Sequence, residues 1–93
     1  MVKHIVLYTL KEGHNKEEAV KLIASCLEPL VGQIPGLLHM EIRRAYQGMD
    51  YALYSEFESR QALADYREHP LHLEAKGKFH HLLATRVAAD YDL

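Results

Sequence analysis

The chain has 93 residues, 48% of them hydrophobic and 26% charged, with a formal net charge of -2. That length holds one domain, residues 1–93, whose core is small enough for burial against a partner to add to its stability. The acidic balance argues against nucleic acid or an anionic membrane surface as partner, because both select basic patches. The only clustered bases, Arg43-Arg44, read as charges at the edge or end of a strand. The single cysteine, Cys26, has no internal partner for a disulfide. The start, Met1-Val2-Lys3-His4, has no small-residue cleavage site, and the apolar runs fall far short of the ~18 residues of a membrane helix. A soluble cytoplasmic protein is expected.

A first strand runs over Lys3 to Leu10, where Ile5-Val6-Leu7-Tyr8 is continuously apolar, as in a strand covered on both faces. Asn15 follows a glycine-containing loop as the N-cap of a helix with Glu17 and Glu18 in its first turn. Ala19, Leu22, Ile23, Cys26, Leu27 and Leu30 recur at the spacing of one apolar helical face. Gly32 and the Ile34-Pro35-Gly36 turn end that helix. A second strand from about Leu37 to Ala45 turns at Gln47-Gly48-Met49-Asp50 into a third, Tyr51 to Phe57. Ser59 caps a second helix with Ala62, Leu63 and Tyr66 inward. His69-Pro70 interrupts it, and helix resumes from Pro70 to about Phe79. The last strand is Leu82 to Ala89, ending at Asp90-Tyr91.

The order β-α-β-β-α-β predicts an α+β, ferredoxin-like domain: a four-stranded antiparallel sheet with both helices on one face. The first strand is apolar on both sides, and the second and fourth also carry apolar residues on both faces: Leu38, Met40 and Ile42, and Leu83, Val87 and Ala89. An uncovered apolar sheet face is an association surface. The chain is therefore expected to partner itself, as a homodimer through that face.

Seven histidines are present, and imidazole titrates close enough to neutrality to serve as acid or base. His69 and His72 are three apart, but Pro70 between them breaks regular helix geometry. No His-Glu-x-x-His motif or thiolate cluster accompanies them, so no metal site is expected. Cys26 belongs to the helical apolar stripe and reads as packing. No phosphate-cradling glycine loop is present.

Tyr66-Arg67-Glu68-His69-Pro70-Leu71-His72, together with Val2-Lys3-His4, Ile34-Pro35-Gly36, Phe57-Glu58-Ser59 and a closing Asp90-Tyr91, resembles the stress-responsive A/B barrel (Dabb) family over nearly the whole chain. The resemblance implies a dimeric α/β barrel in which two sheets pack face to face. Most such proteins have no assigned activity; a plant polyketide cyclase among them closes a linear polyketide by aldol condensation without a cofactor. On that resemblance His72 would be the general base and Tyr66 would orient it or bond the substrate. His4, Tyr51 and Leu22 would line the pocket, with Tyr51 standing where that cyclase has a histidine. The ligand would be a small, mostly apolar, carbonyl-bearing molecule, and no cofactor is expected. Plant relatives hold magnesium through backbone carbonyls at positions matching Val31, Ile34 and Leu37, for which side chains offer no signature.

Three readings stay open at this point. The first is cofactor-free acid–base chemistry of the cyclase kind, and the second a non-catalytic stress-response or assembly protein. The third is a haem or quinol monooxygenase-like barrel. For His72 the plain alternative is a ring that bonds backbone near Pro70 and fixes the helix break.

Overall fold

The computed structural model describes residues 1–93. Its elements are β1 (Val2–Leu10), α1 (Lys16–Leu27), β2 (Leu37–Arg44), β3 (Tyr51–Phe57), α2 (Arg60–Glu68), α3 (Pro70–Gly77) and β4 (Leu83–Asp92), with short 3-10 turns at Glu28–Leu30 and His80–Leu82. The sheet is fully antiparallel in the order β2-β3-β1-β4. The three helices cover one face, so the fold is ferredoxin-like.

Local chemistry sets the helix boundaries. The Asn15 side chain accepts the Glu18 N–H at 3.0 Å, and Ser59 Oγ accepts the Ala62 N–H at 3.1 Å, each satisfying a donor that the first turn leaves free. His69 is extended (φ -66, ψ 133), and Pro70 opens α3 as its first residue, where its missing N–H costs nothing. Gly36 has φ +83, and a Cβ there would sit 2.5 Å from the Ala62 Cβ. Only glycine lets β2 start this close to α2.

Along β1, Val2, His4, Val6 and Leu10 are buried against the helices. Ile5 and Leu7 alternate with them and point outward. On β3, Tyr51, Leu53, Ser55 and Phe57 face inward in the same way. One expectation is corrected. Leu22 is 41% exposed, and Val20 is buried in its place. The buried arc of α1 runs through Ala19, Val20, Ile23 and Leu27, and Leu22 lies about 100° around the helix from Ile23. β2 is apolar on both faces as expected, and Leu38 is left out of the ladder by a register shift between Leu37 and His39. That bulge sends Met40 and Ile42 into the core while Leu38 stays exposed.

β4 runs to Asp92, past the expected end, because Asp90, Tyr91 and Asp92 pair with His4, Lys3 and Val2. The outer face is apolar at Ile5, Leu7, Ala52, Val87 and Ala89, which adjoin one another in the registers of β1 with β3 and β4. Val87 is 60% exposed. A polar border flanks this patch: Lys3 Nζ donates to Glu56 at 2.8 Å and to the Tyr54 hydroxyl at 2.6 Å.

Candidate functional site

The sheet is wider than the helix layer, and β4 is exposed along nearly its whole length. Where the helices stop short, a cavity of about 440 Å³ opens between the inner face of β1 and β4 and the helices α2 and α3. Its apolar walls include Tyr8, Leu27, Leu53, Phe79 and Leu83. A volume of this size and lining suits a small organic molecule, for which pockets run roughly 300–1,000 Å³.

His4 enters the cavity from β1. Its Nδ1 meets the Asp90 carboxylate directly across the β1–β4 pair, and the other Asp90 oxygen accepts from Arg67 at 3.0 Å. Burial holds the His4 ring below the ordinary histidine pKa, and the pull of Asp90 in the other direction is the smaller effect. Burial alone would raise Asp90, yet its bonds to His4 and Arg67 prevail and hold the carboxyl low. His4 is therefore neutral and Asp90 charged at neutral pH, with the Nδ1 proton donated to the carboxylate.

His72 reaches the same cavity from α3. Its Nδ1 lies 3.3 Å from the Arg67 carbonyl oxygen. A carbonyl only accepts, so Nδ1 carries the proton and Nε2 the lone pair. Burial is the main reason that His72 too sits below the ordinary value, and the charges of Lys76 and Arg67 push the same way. Neither Nε2 has a protein partner, and neither is sealed from solvent.

Tyr66, from α2, packs its ring against His72 (centroids 4.2 Å apart) and Phe57 (5.1 Å). The ring is buried, but its hydroxyl is unpartnered and not sealed, so it opens on the cavity it lines. Burial pushes the phenol well above its usual range, which keeps the O–H as a donor. The cavity thus presents two imidazole lone pairs and the phenolic donor of Tyr66, with Tyr8 as a second phenol in its lining.

Of the residues singled out from the sequence, His72, Tyr66 and His4 are brought together. Tyr51 is not on the cavity: its ring stacks behind Tyr8 at 4.8 Å, and its hydroxyl is sealed with no partner. The even side-chain period of β1 and β3 puts both tyrosines inward, but Tyr8 is the one that reaches the opening. Leu22 is also placed elsewhere, beside His14 and Leu82 in a separate shallow groove, because of the helical rotation described above. Sequence reasoning missed Tyr8 and the Asp90–Arg67 pair. Tyr8 follows His4 by four on one strand face, a parity that marks it.

The family model described as the stress responsive A/B barrel domain matches residues 2–93. The chain belongs to the Dabb family. This Dabb chain is 31% identical over 96 residues to the stress-response A/B barrel domain-containing protein HS1 of Arabidopsis thaliana, covering 97% of this chain and 87% of that protein. A dimeric protein of unknown function and ferredoxin-like fold from Bacteroides fragilis superposes with a TM-score of 0.88 at 26% identity, over 99% of this chain and 95% of that one. A putative antibiotic biosynthesis monooxygenase from Nitrosomonas europaea superposes at 0.79 with 21% identity, over 99% and 97% of the two chains, a likeness of fold alone.

In this Dabb chain no group of three His, Cys, Asp or Glu side chains is placed to hold a metal ion. At the backbone positions Val31, Ile34 and Leu37, the Ile34 carbonyl accepts the Leu37 N–H at 3.2 Å, and the segment contains no carboxylate. No helix is long and apolar enough to cross a membrane.

Proposed function

We propose that this Dabb chain works as a homodimer closed through its outer sheet face. Each cavity binds a small, mostly apolar, carbonyl-bearing molecule and acts on it by cofactor-free acid–base chemistry of the cyclase kind. One observation carries the reading: two histidines, each with Nδ1 pinned and Nε2 free, share an apolar cavity with an unpartnered phenol. His72 Nε2 would take a proton from the carbon next to the carbonyl. Tyr66 would donate to the oxygen on which the enolate charge develops. His4, its ring oriented by Asp90, would line the opposite wall and serve as a second proton carrier. The dimer is supported by the exposed apolar patch around Leu7 and Val87 and by the dimeric neighbour from Bacteroides fragilis.

The test needs no knowledge of the natural ligand. Proton abstraction next to a carbonyl is read as deuterium uptake by 2-decanone in heavy water, followed by mass spectrometry. The protein should speed uptake by about 100-fold or more over buffer, as a positioned base does, and His72→Gln should abolish the gain while the dimer persists. Equal uptake with His72→Gln would remove the base role. A second reading, the non-catalytic stress or assembly protein, draws on the same His72–Arg67 bond, which also braces the helix break at Pro70. Under it, no variant of His72 changes uptake and the substitution lowers stability alone.

A further inference from the structure

The cavity mouth carries charges that the chemistry above does not use. Lys76 on α3 and Arg86 on β4 both line the cavity, from the helix wall and from the sheet edge. Neither side chain makes an ion pair or hydrogen bond within the protein, whereas Arg43, Arg44, Arg60 and Arg67 are each tied to a carboxylate. Arg67, the third cation of the lining, is committed to Asp90 at 3.0 Å. Lys76 and Arg86 therefore stand against one carboxylate of the lining, Glu68.

This positive mouth belongs to a chain whose formal net charge is -2, so the excess is local. Clefts of one sign with apolar walls concentrate ligands of the opposite sign. Both charges bear on the site itself, since Lys76 disfavours protonation of His72 and Arg86 that of His4. An anion seated between them would complement the mouth and leave the two lone pairs facing its apolar part.

We infer that the ligand is a carboxylate: an apolar, carbonyl-bearing acid whose body fills the Tyr8, Leu53 and Phe79 walls and whose carboxylate meets Lys76 and Arg86. A guanidinium matches the two carboxylate oxygens in plane, and the flexible ammonium closes from the other side. This inference deepens the proposed function and rests on the cavity being its ligand site.

Three probes of one chain length separate the two ideas: decanoate, 2-decanone and decyltrimethylammonium, each titrated below its micellar concentration. Binding is read from amide chemical shifts of cavity residues in the intact protein. Decanoate should bind at least tenfold more tightly than 2-decanone, a difference of about 1.4 kcal/mol, and the margin should shrink as salt is raised. The double variant Lys76→Gln/Arg86→Gln, altered at exposed positions only, should lose the margin while its affinity for 2-decanone stays the same. Equal affinities, or tighter binding of the ketone or the ammonium, overturn the carboxylate and leave the cavity reading intact. A margin that survives in the double variant overturns the assignment to Lys76 and Arg86. If no probe moves the cavity resonances, the cavity reading falls and takes this inference with it.

Discussion

Tyr51→Phe is expected to stabilise the protein. The Tyr51 side chain is 1% exposed, and its hydroxyl is the one buried side-chain polar atom without a partner. Leaving such a group unsatisfied costs about 1–3 kcal/mol of desolvation. Removing the oxygen forfeits a handful of contacts worth about 0.1–0.2 kcal/mol each, which offsets less than the gain. The ring keeps its stacking on Tyr8 at 4.8 Å, since phenylalanine has the same shape. The net effect is about 1 kcal/mol in favour of the variant, or a melting temperature about 4–8 °C higher for a domain of this size. Calorimetry at fixed protein concentration reads it, because a dimer's melting temperature depends on concentration. A lower melting temperature for Tyr51→Phe would refute the reasoning and show that the hydroxyl has a partner, such as an enclosed water. The same variant should bind 2-decanone as the native chain does, because Tyr51 lies behind Tyr8 and off the cavity.

Burial lowers the pKa of both His4 and His72, so between their folded-state values and about 6.5 the unfolded chain binds more protons than the folded one. The stability they contribute is complete above about 6.5 and is lost as pH falls through the folded values; urea midpoints at pH 7.5 and 5.5 should differ in that direction, and equal midpoints would contradict it. Asp50 and Asp90, held low mainly by the Leu10 N–H and by His4 and Arg67 respectively, add a further loss at more acid pH. Gly36→Ala combines a left-handed φ of +83 with a Cβ 2.5 Å from Ala62, whereas Gly48→Ala at φ +87 meets open space. The first should cost about 2 kcal/mol or more and the second about 1–2 kcal/mol of backbone strain only; equilibrium denaturation of the pair that gives equal losses would show that α2 moves aside. Leu7→Lys puts a charge in the centre of the outer patch and should yield monomers by light scattering; a persistent dimer would place the interface elsewhere.

Much of the fold is legible in the sequence because its signals are local. Asn15 and Ser59 mark helix starts, and Pro70 marks the break between α2 and α3 through its own backbone chemistry. The misses have non-local causes. Leu22 is a good apolar residue on the flank of an amphipathic arc, and which flank is buried depends on how α1 rolls against the sheet. The bulge at Leu38 depends on how β2 and β3 align. Asp90, Tyr91 and Asp92 look like a polar end, yet each has a strand partner. Two also have side-chain partners, Asp90 with His4 and Arg67 and Asp92 with Arg60.

The site divides along the same line. Tyr66 and His72 are near in sequence and are turned together by the Pro70 break, so a short string announces them. The His4–Asp90 pair spans 86 residues and exists only because β4 pairs with β1 in one register. A slip of one residue would carry Asp90 to the outer face and leave His4 without its acceptor. β4 is an edge strand with β1 as its only neighbour, and its inward residues are mostly uncovered by helix. Its ladder with β1 and the contacts of Thr85, Asp90 and Asp92 set its register, and the outer face adds to them, where Val87 and Ala89 lie beside Leu7 and Ile5. Burial of that face against a second copy would thus do two things at once. It removes an exposed apolar surface, and it pins the strand that holds Asp90 on His4 and Arg86 at the cavity mouth. On this account a dimer would steady the site as well as add stability.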